Sequence, residues 1–265
     1  MAQIFGFAIL SLFITAVLLV PFIDFLYKIK LQRQKQKTRD VFNQPTDFFN
    51  RASKWKVGTP FGGGLLIILV VTSLTLWAYG LFSVEVKFWE LFALLFTFIG
   101  FGALGFYDDI RKIFNKDTGF FGLKLFHKFA IQWILALIVG AVLYFQLGYN
   151  FVYVHWFGQI TLGALYIIFA AFVIVSFTNA VNISDGLDGM ATGLLIICLV
   201  AFLAVAGAIL DPFLSLFIAI LLGSALAFLY FNTYRARLWL GDVGALSLGA
   251  VLAVIGLLTG KPLPV

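Results

Sequence analysis

Eight continuously apolar runs, each close to the ~20 residues an α-helix needs to cross a bilayer, follow one another along the chain. They lie at about 4–26, 61–82, 88–107, 126–147, 160–178, 190–210, 212–231 and 243–259. Because the runs are unbroken rather than alternating, they predict helices and argue against the short two-faced strands of a membrane barrel. The predicted fold class is all-α: a polytopic integral membrane helical bundle with about eight transmembrane helices. Two boundaries are narrow. Asn179–Gly193 alone separates the fifth run from the sixth, and little more than Asp211-Pro212 separates the sixth from the seventh. The first run has neither a basic leader nor a small-residue cleavage site, so it reads as a retained helix. No stretch marks off a soluble domain, and residues 1–265 are expected to form a single transmembrane domain.

The polar positions between the runs are strongly sided. Lys28, Lys30, Arg33, Lys35, Lys37, Arg39, Arg51, Lys54 and Lys56 lie between the first and second runs. Arg111, Lys112, Lys116, Lys124 and Lys128 lie between the third and fourth, and Arg235 and Arg237 between the seventh and eighth. Only Lys87 and Lys261 fall on the other side. Basic residues accumulate in cytoplasmic loops, so the expected topology is a multi-pass membrane protein with these loops in the cytoplasm and its N-terminus outside. The composition agrees, with 62% hydrophobic and 11% charged residues. The net charge of +6 follows from that topology alone and gives no reason to invoke nucleic acid. Cys198, the single cysteine, lies inside the sixth run and reads as a small apolar residue.

Orientation sorts the acids. Asp108 and Asp109 end the third run, Asp185 and Asp188 follow the fifth, and Asp242 precedes the eighth, so all five come to one membrane depth at the cytoplasmic helix ends. In FYDDIRK the two carboxylates point about 100° apart on a helix. One of them can face the bundle while the other turns to a neighbour; a plain i, i+4 pair of Asp108 with Lys112 is the simpler alternative. In NAVNISDGLDGMATG the polar residues Asn179, Asn182, Asp185 and Asp188 recur every third position, with Gly186 and Gly189 leaving room for a ligand. In RLWLGDVGALSLG, Asp242 sits at a helix start, either as an N-cap or as a hard-metal ligand. KVGTPFGGGL offers three glycines at the start of the second run, either as a phosphate site at a helix N-terminus or as a seam for close helix packing. It is not a Walker loop, because no Lys-Ser or Lys-Thr follows. Together these segments suggest Mg²⁺-dependent chemistry on a phosphorylated compound, with a lipid as one reactant.

GFYDDIRK, NAVNISDGLDGMATG and LWLGDVGALSLG resemble the three signature segments of the polyprenyl-phosphate N-acetylhexosamine-1-phosphate transferases. GTPFGGG after Lys56 and GLKLFHKFAIQ after the acid pair look most like the branch that takes UDP-N-acetylmuramoyl-pentapeptide. The resemblance implies transfer of the phospho-sugar to undecaprenyl phosphate, releasing UMP and forming lipid I for peptidoglycan. It makes Asp108, Asp109 and Asp242 the catalytic aspartates, with Asp242 the Mg²⁺ ligand. By the same resemblance Asn179, Asn182, Asp185, Gly186 and Asp188 contact nucleotide and sugar, and Lys56, Lys112 and Lys124 contact phosphate and substrate. Trp239 stands where the family usually has a Phe stacked on uracil.

Some positions depart from the family pattern. The usual Pro-Thr-Met-Gly-Gly reads Pro60-Phe61-Gly62-Gly63-Gly64 here. The family usually has ten spans and a His-rich loop, so the chain reads as a C-terminally shortened form. His127 and His155 are expected to be structural or interfacial. The partners implied are undecaprenyl phosphate, a UDP-linked amino sugar and membrane lipids, with a homodimer left open. A sibling that uses UDP-N-acetylglucosamine is the nearest alternative. A transporter is disfavoured because its acids belong near the midplane.

Overall fold

The computed structural model describes residues 2–32, 56–81, 88–114, 123, 125–154 and 156–260. Among them are eight helices long and apolar enough to span a bilayer. They are α1 (Ala2–Lys28), α2 (Gly63–Leu81), α3 (Phe88–Phe114), α4 (Leu125–Phe145), α5 (Leu165–Ser184), α6 (Met190–Ala208), α7 (Pro212–Asn232) and α8 (Gly241–Thr259). Each expected run is present, so the all-α membrane bundle is the architecture.

Three differences from the expected boundaries matter for the site. α3 runs seven residues past its apolar stretch to Phe114, and α5 runs six past its own to Ser184. Both overshoots carry the polar segments outward as helix, because good backbone bonding continues wherever no glycine or proline interrupts it. At the far end, residues 160–161, expected as the start of the fifth run, are strand rather than helix: β1 (Phe151–Val154) pairs antiparallel with β2 (Gly158–Thr161), Val152 opposite Ile160. This hairpin was not expected from the sequence. Its tip leaves Trp156 and Phe157 exposed.

Burial sets the order of the bundle. α7 and α8 form its middle, with most of their lengths inside protein, whereas α1, α4, α5 and α6 present most of their surface outward. The most extensive contacts are α3 with α8 and α1 with α7, followed by α5 with α8. The turn into α7 is fixed locally: Asp211 accepts from Leu214 N at 2.9 Å, and Pro212 takes the first helical position, where its missing N–H is no loss.

In a bilayer the apolar faces of helices gain little by meeting each other, so close packing and interhelical hydrogen bonds must hold them. Ser11 on α1 donates to Ile220 O on α7 at 2.7 Å, and Thr15 donates to Ser224 Oγ at 3.0 Å. Between α2 and α8 the backbones touch: a Cβ built on Gly64 would fall 2.1 Å from Gly244 Cα. Helix pairs held this closely have little freedom to slide.

Candidate active site

The overshooting end of α3 places Asp108 and Asp109 beyond the apolar layer, and both are almost fully buried. Their ~100° separation on the helix sends them to different neighbours. Asp108 accepts from the Leu123 amide and pairs with Lys128 Nζ on the first turn of α4 at 3.1 Å. Asp109 turns toward α8 and accepts from Val243 N at 3.1 Å.

Asp242 lies in the first turn of α8 and completes the cluster. It is not the helix cap, since Leu240 holds that position. Lys112 Nζ stands 3.2 Å from Asp108 Oδ2, 3.4 Å from Asp109 Oδ1 and 2.8 Å from Asp242 Oδ1. Lys128 Nζ bridges Asp108 and the other oxygen of Asp242. The simple Asp108–Lys112 helix pair therefore exists, but as one edge of a five-residue network that draws on three helices.

Glycines set the spacing. Gly105, one turn before Asp109, lies so close to α8 that an added Cβ would sit 2.2 Å from Asp242 O. At Gly241, φ is +76°, and a Cβ there would come 2.8 Å from Asp109 Oδ2. Neither position has room for a side chain. The triglycine run settles between its two readings in the same way. Gly63 N donates to Trp239 O at 2.9 Å and Gly64 N to Leu240 O at 3.0 Å. Those two amides are spent on the α7–α8 connection and are not free for phosphate, so Gly63 and Gly64 form a packing seam.

A second group forms the adjoining wall. Lys56 is buried, donates to Gly186 O at 2.8 Å and lies 4.0 Å from Asp188 Oδ1. Its ammonium stands 4.2 Å from the centre of the Trp239 ring, a cation–π arrangement. Asp188 accepts from Ala236 N at 3.0 Å, which ties the turn after α5 to the connection before α8. Burial pushes its carboxyl above the usual carboxylate range.

Between the acid cluster and this wall lies a cavity of about 140 Å³ lined by Thr59, Phe61, Asp109, Lys112, Asp185, Trp239, Gly241 and Asp242. Burial, reinforced by the charges of Asp242 and Asp109, pushes the Asp185 carboxyl well above its ordinary value. The Trp239 indole N–H is buried and has no acceptor among the described residues.

Most residues singled out in the sequence meet here: Asp108, Asp109, Asp242 and Lys112 in the network, and Lys56, Asp185, Gly186, Asp188 and Trp239 in the cavity and its wall. Asn179 is turned instead to the neighbouring helix, donating to Gln132 Oε1 of α4 and to Val175 O, both at 2.8 Å. Asn182 is half-buried on the last turn of α5. Lys124 and His155 lie outside the described residues.

Sequence reasoning missed two contributors. Lys128 was counted only as a topogenic charge, although Lys128 and Gln132 sit four apart in an otherwise apolar run, the spacing of one inward helix face. Asn232 is buried at the end of α7. It accepts from Gly189 N at 3.2 Å and Thr192 Oγ1 at 3.1 Å, and donates to Leu238 O at 3.0 Å. It thereby joins the two connections that carry Asp188 and Trp239.

The donor set suits a hard divalent cation. Three carboxylates converge on one ammonium, that of Lys112, which already acts as a stand-in cation, and oxygen donors of this kind are what Mg²⁺ takes. As they stand, with the ammoniums between them, no three acidic, histidine or cysteine side chains among the described residues are gathered closely enough to hold an ion. Binding one requires the lysines to move.

Fold and site together define a polytopic membrane transferase. The chain belongs to glycosyl transferase family 4, whose sequence model matches residues 91–260, from early α3 through the end of α8. It is 35% identical over 95% of its length to the phospho-N-acetylmuramoyl-pentapeptide-transferase of Limosilactobacillus fermentum, covering 73% of that protein. It is 34% identical to the protein of the same name from Aquifex aeolicus, over 96% of this chain and 71% of that one. Heliobacterium modesticaldum has a namesake that is 38% identical over 77% of this chain and 62% of that one.

Proposed function

We propose that this protein transfers phospho-N-acetylmuramoyl-pentapeptide from its UDP-linked donor to undecaprenyl phosphate, forming lipid I and releasing UMP, in the bacterial inner membrane with the site facing the cytoplasm. The observation that carries this reading is the convergence of Asp108, Asp109, Asp242, Lys112 and Lys128 from three helices into one network, of which Asp109, Lys112 and Asp242 line the cavity. The Limosilactobacillus fermentum and Aquifex aeolicus relatives, named for this transfer and covered over 73% and 71% of their lengths, support the choice of donor.

In this scheme the donor's nucleotide enters beside Trp239, whose ring offers a stacking face and whose indole N–H is left to donate. Lys56, behind that ring, adds positive charge. Of the adjacent acids only Asp109 lines the cavity, so it meets the acceptor. It takes the remaining proton of the acceptor phosphate as that oxygen bonds to the sugar-linked phosphorus and the bond to UMP breaks. Lys112 and Lys128 hold phosphate oxygens. Asp242, with Asp108 and Asp109, would hold Mg²⁺, which when bound neutralises charge on the bridging and leaving oxygens.

The test offers purified protein undecaprenyl phosphate with either UDP-N-acetylmuramoyl-pentapeptide or UDP-N-acetylglucosamine, with Mg²⁺ and with chelator, and measures UMP. Release with the first donor alone, abolished by chelation, is the expected result. Release only with the second overturns the donor assignment, and release unaffected by chelator overturns the metal.

A further inference from the structure

Resting on that reading, we propose that Lys112 and Lys128 occupy the cation's own oxygens in the ligand-free protein and transfer to phosphate oxygens when the divalent cation binds, so that cation and phosphate bind cooperatively.

The hydrogen-bond inventory comes first. An ammonium has three donors, and Lys112 has all three acids within 3.4 Å. In this arrangement it has no donor left for a phosphate. Lys128 is shared between Asp108 and Asp242. Both oxygens of Asp242 therefore face ammoniums. A divalent ion and two ammoniums cannot share these oxygens at such distances, because like charges inside a poorly hydrated site repel strongly. Either the lysines leave or the ion does not bind.

The side chains are built to leave. Lys112 is 16% exposed and Lys128 12%, while the acids Asp108 and Asp109 are 3% and 4% exposed. The acids are fixed by backbone amides, Asp108 by Leu123 N and Asp109 by Val243 N. The lysines sit on flexible four-carbon stems, and Lys112 already borders the cavity. Lys56 is the useful contrast. It lies close by with the same charge, and its contacts include Gly186 O, Asp188 and the Trp239 ring.

Exchange of this kind has a thermodynamic signature. An ion that frees two phosphate-binding ammoniums raises phosphate affinity, and phosphate must raise ion affinity by the same factor.

The test measures Mn²⁺ binding by electron paramagnetic resonance to the full chain in detergent, with no substrate and then with inorganic phosphate. Lys112→Met and Lys128→Met are expected to tighten Mn²⁺ about tenfold without phosphate, and to lose most of the gain that phosphate gives the unaltered protein. Lys128→Arg keeps a cation on the acids and is expected to stay within about threefold of the unaltered protein. Arg235→Met, at an exposed cation in the connection between α7 and α8, controls for bulk charge and is expected to shift affinity by less than about threefold. If the two network variants tighten no more than Arg235→Met, or bind more weakly, the exchange is overturned while the metal reading stands. If Mn²⁺ fails to bind even to the unaltered protein, there is no cation site to guard, and both fall. Monodispersity on gel filtration separates these outcomes from misfolding.

Discussion

Adding one methyl group at Gly105 tests whether the separation of α3 and α8 governs the chemistry. In Gly105→Ala the new Cβ would lie 2.2 Å from Asp242 O, 2.4 Å from its carbonyl carbon and 2.6 Å from Val243 N. Non-bonded heavy atoms settle at roughly 3.5 Å or more, so the helices must part by about 1 Å or more. These are backbone atoms, which cannot rotate away. The bond from Val243 N to Asp109, now 3.1 Å, would then stretch past hydrogen-bonding range. Overpacking costs about 1–3 kcal/mol, and the lost donor to a buried carboxylate about 1–3 kcal/mol. Replacing glycine inside a helix returns roughly 1 kcal/mol. A displacement of about 1 Å in a catalytic pair is worth ~10²-fold in rate.

Gly100→Ala, on the same helix, is the control, because its Cβ would meet only Leu135 side-chain carbons at 3.6 and 3.8 Å, an ordinary contact. Melting temperature in detergent and initial rate of UMP release are measured for both. Gly105→Ala is expected to melt lower and turn over ~10²-fold more slowly, with Gly100→Ala unchanged or slightly stabilised. Equal behaviour of the two, or an unaltered rate in Gly105→Ala, would refute the argument.

Asp242→Ala is expected to lower UMP release by at least ~10²-fold, measured on protein whose folding is checked by gel filtration. Asp185→Asn carries a pH test: its carboxyl is raised in the folded protein by burial, so the native state holds its proton over a range where the unfolded chain has released it. That contribution is complete below the ordinary carboxylate value and is lost as pH rises through the folded one. The variant should therefore melt above the parent at pH 8, by about 2–4 °C per kcal/mol relieved, with the gap closing near pH 4. Lys56→Ala leaves Asp188 buried without its ammonium and is expected to cost roughly 3–5 kcal/mol, read from chemical unfolding, together with weaker donor binding. Trp239→Phe keeps a stacking face but removes the indole N–H. It is expected to raise the donor KM by about fivefold, the loss of one hydrogen bond, with kcat nearly unchanged in steady-state assays.

Span positions were legible because the membrane imposes a length and an unbroken apolar composition on every helix that crosses it. Where that constraint stops, so did the reading. Nothing in the apolar pattern told α3 and α5 to continue as helix through DDIRK and NAVNIS, and four-residue strands such as Phe151–Val154 are too short for alternation to stand out. The acids were found because carboxylates at one depth on separate helices are costly without a purpose. Lys128 was not found, because a basic residue beside a span is also what topology demands, and only the fold shows its ammonium between Asp108 and Asp242. Asn232 carries no signal in the sequence, because only the fold shows its bonds to Gly189, to Thr192 on α6 and to Leu238. The triglycine run had two physical readings that only the destination of its amides separates.

The contact of Gly64 with Gly244, and of Gly105 with the backbone of Asp242, has a bearing on how this protein can vary. Side chains facing lipid are interchangeable among apolar residues, so drift there is nearly free. At the seam the permitted alphabet shrinks to one letter, although none of these glycines bears a reacting group. The strictest inheritance in such a molecule falls on positions with no side chain at all, and an engineer seeking to stabilise it should leave those untouched first.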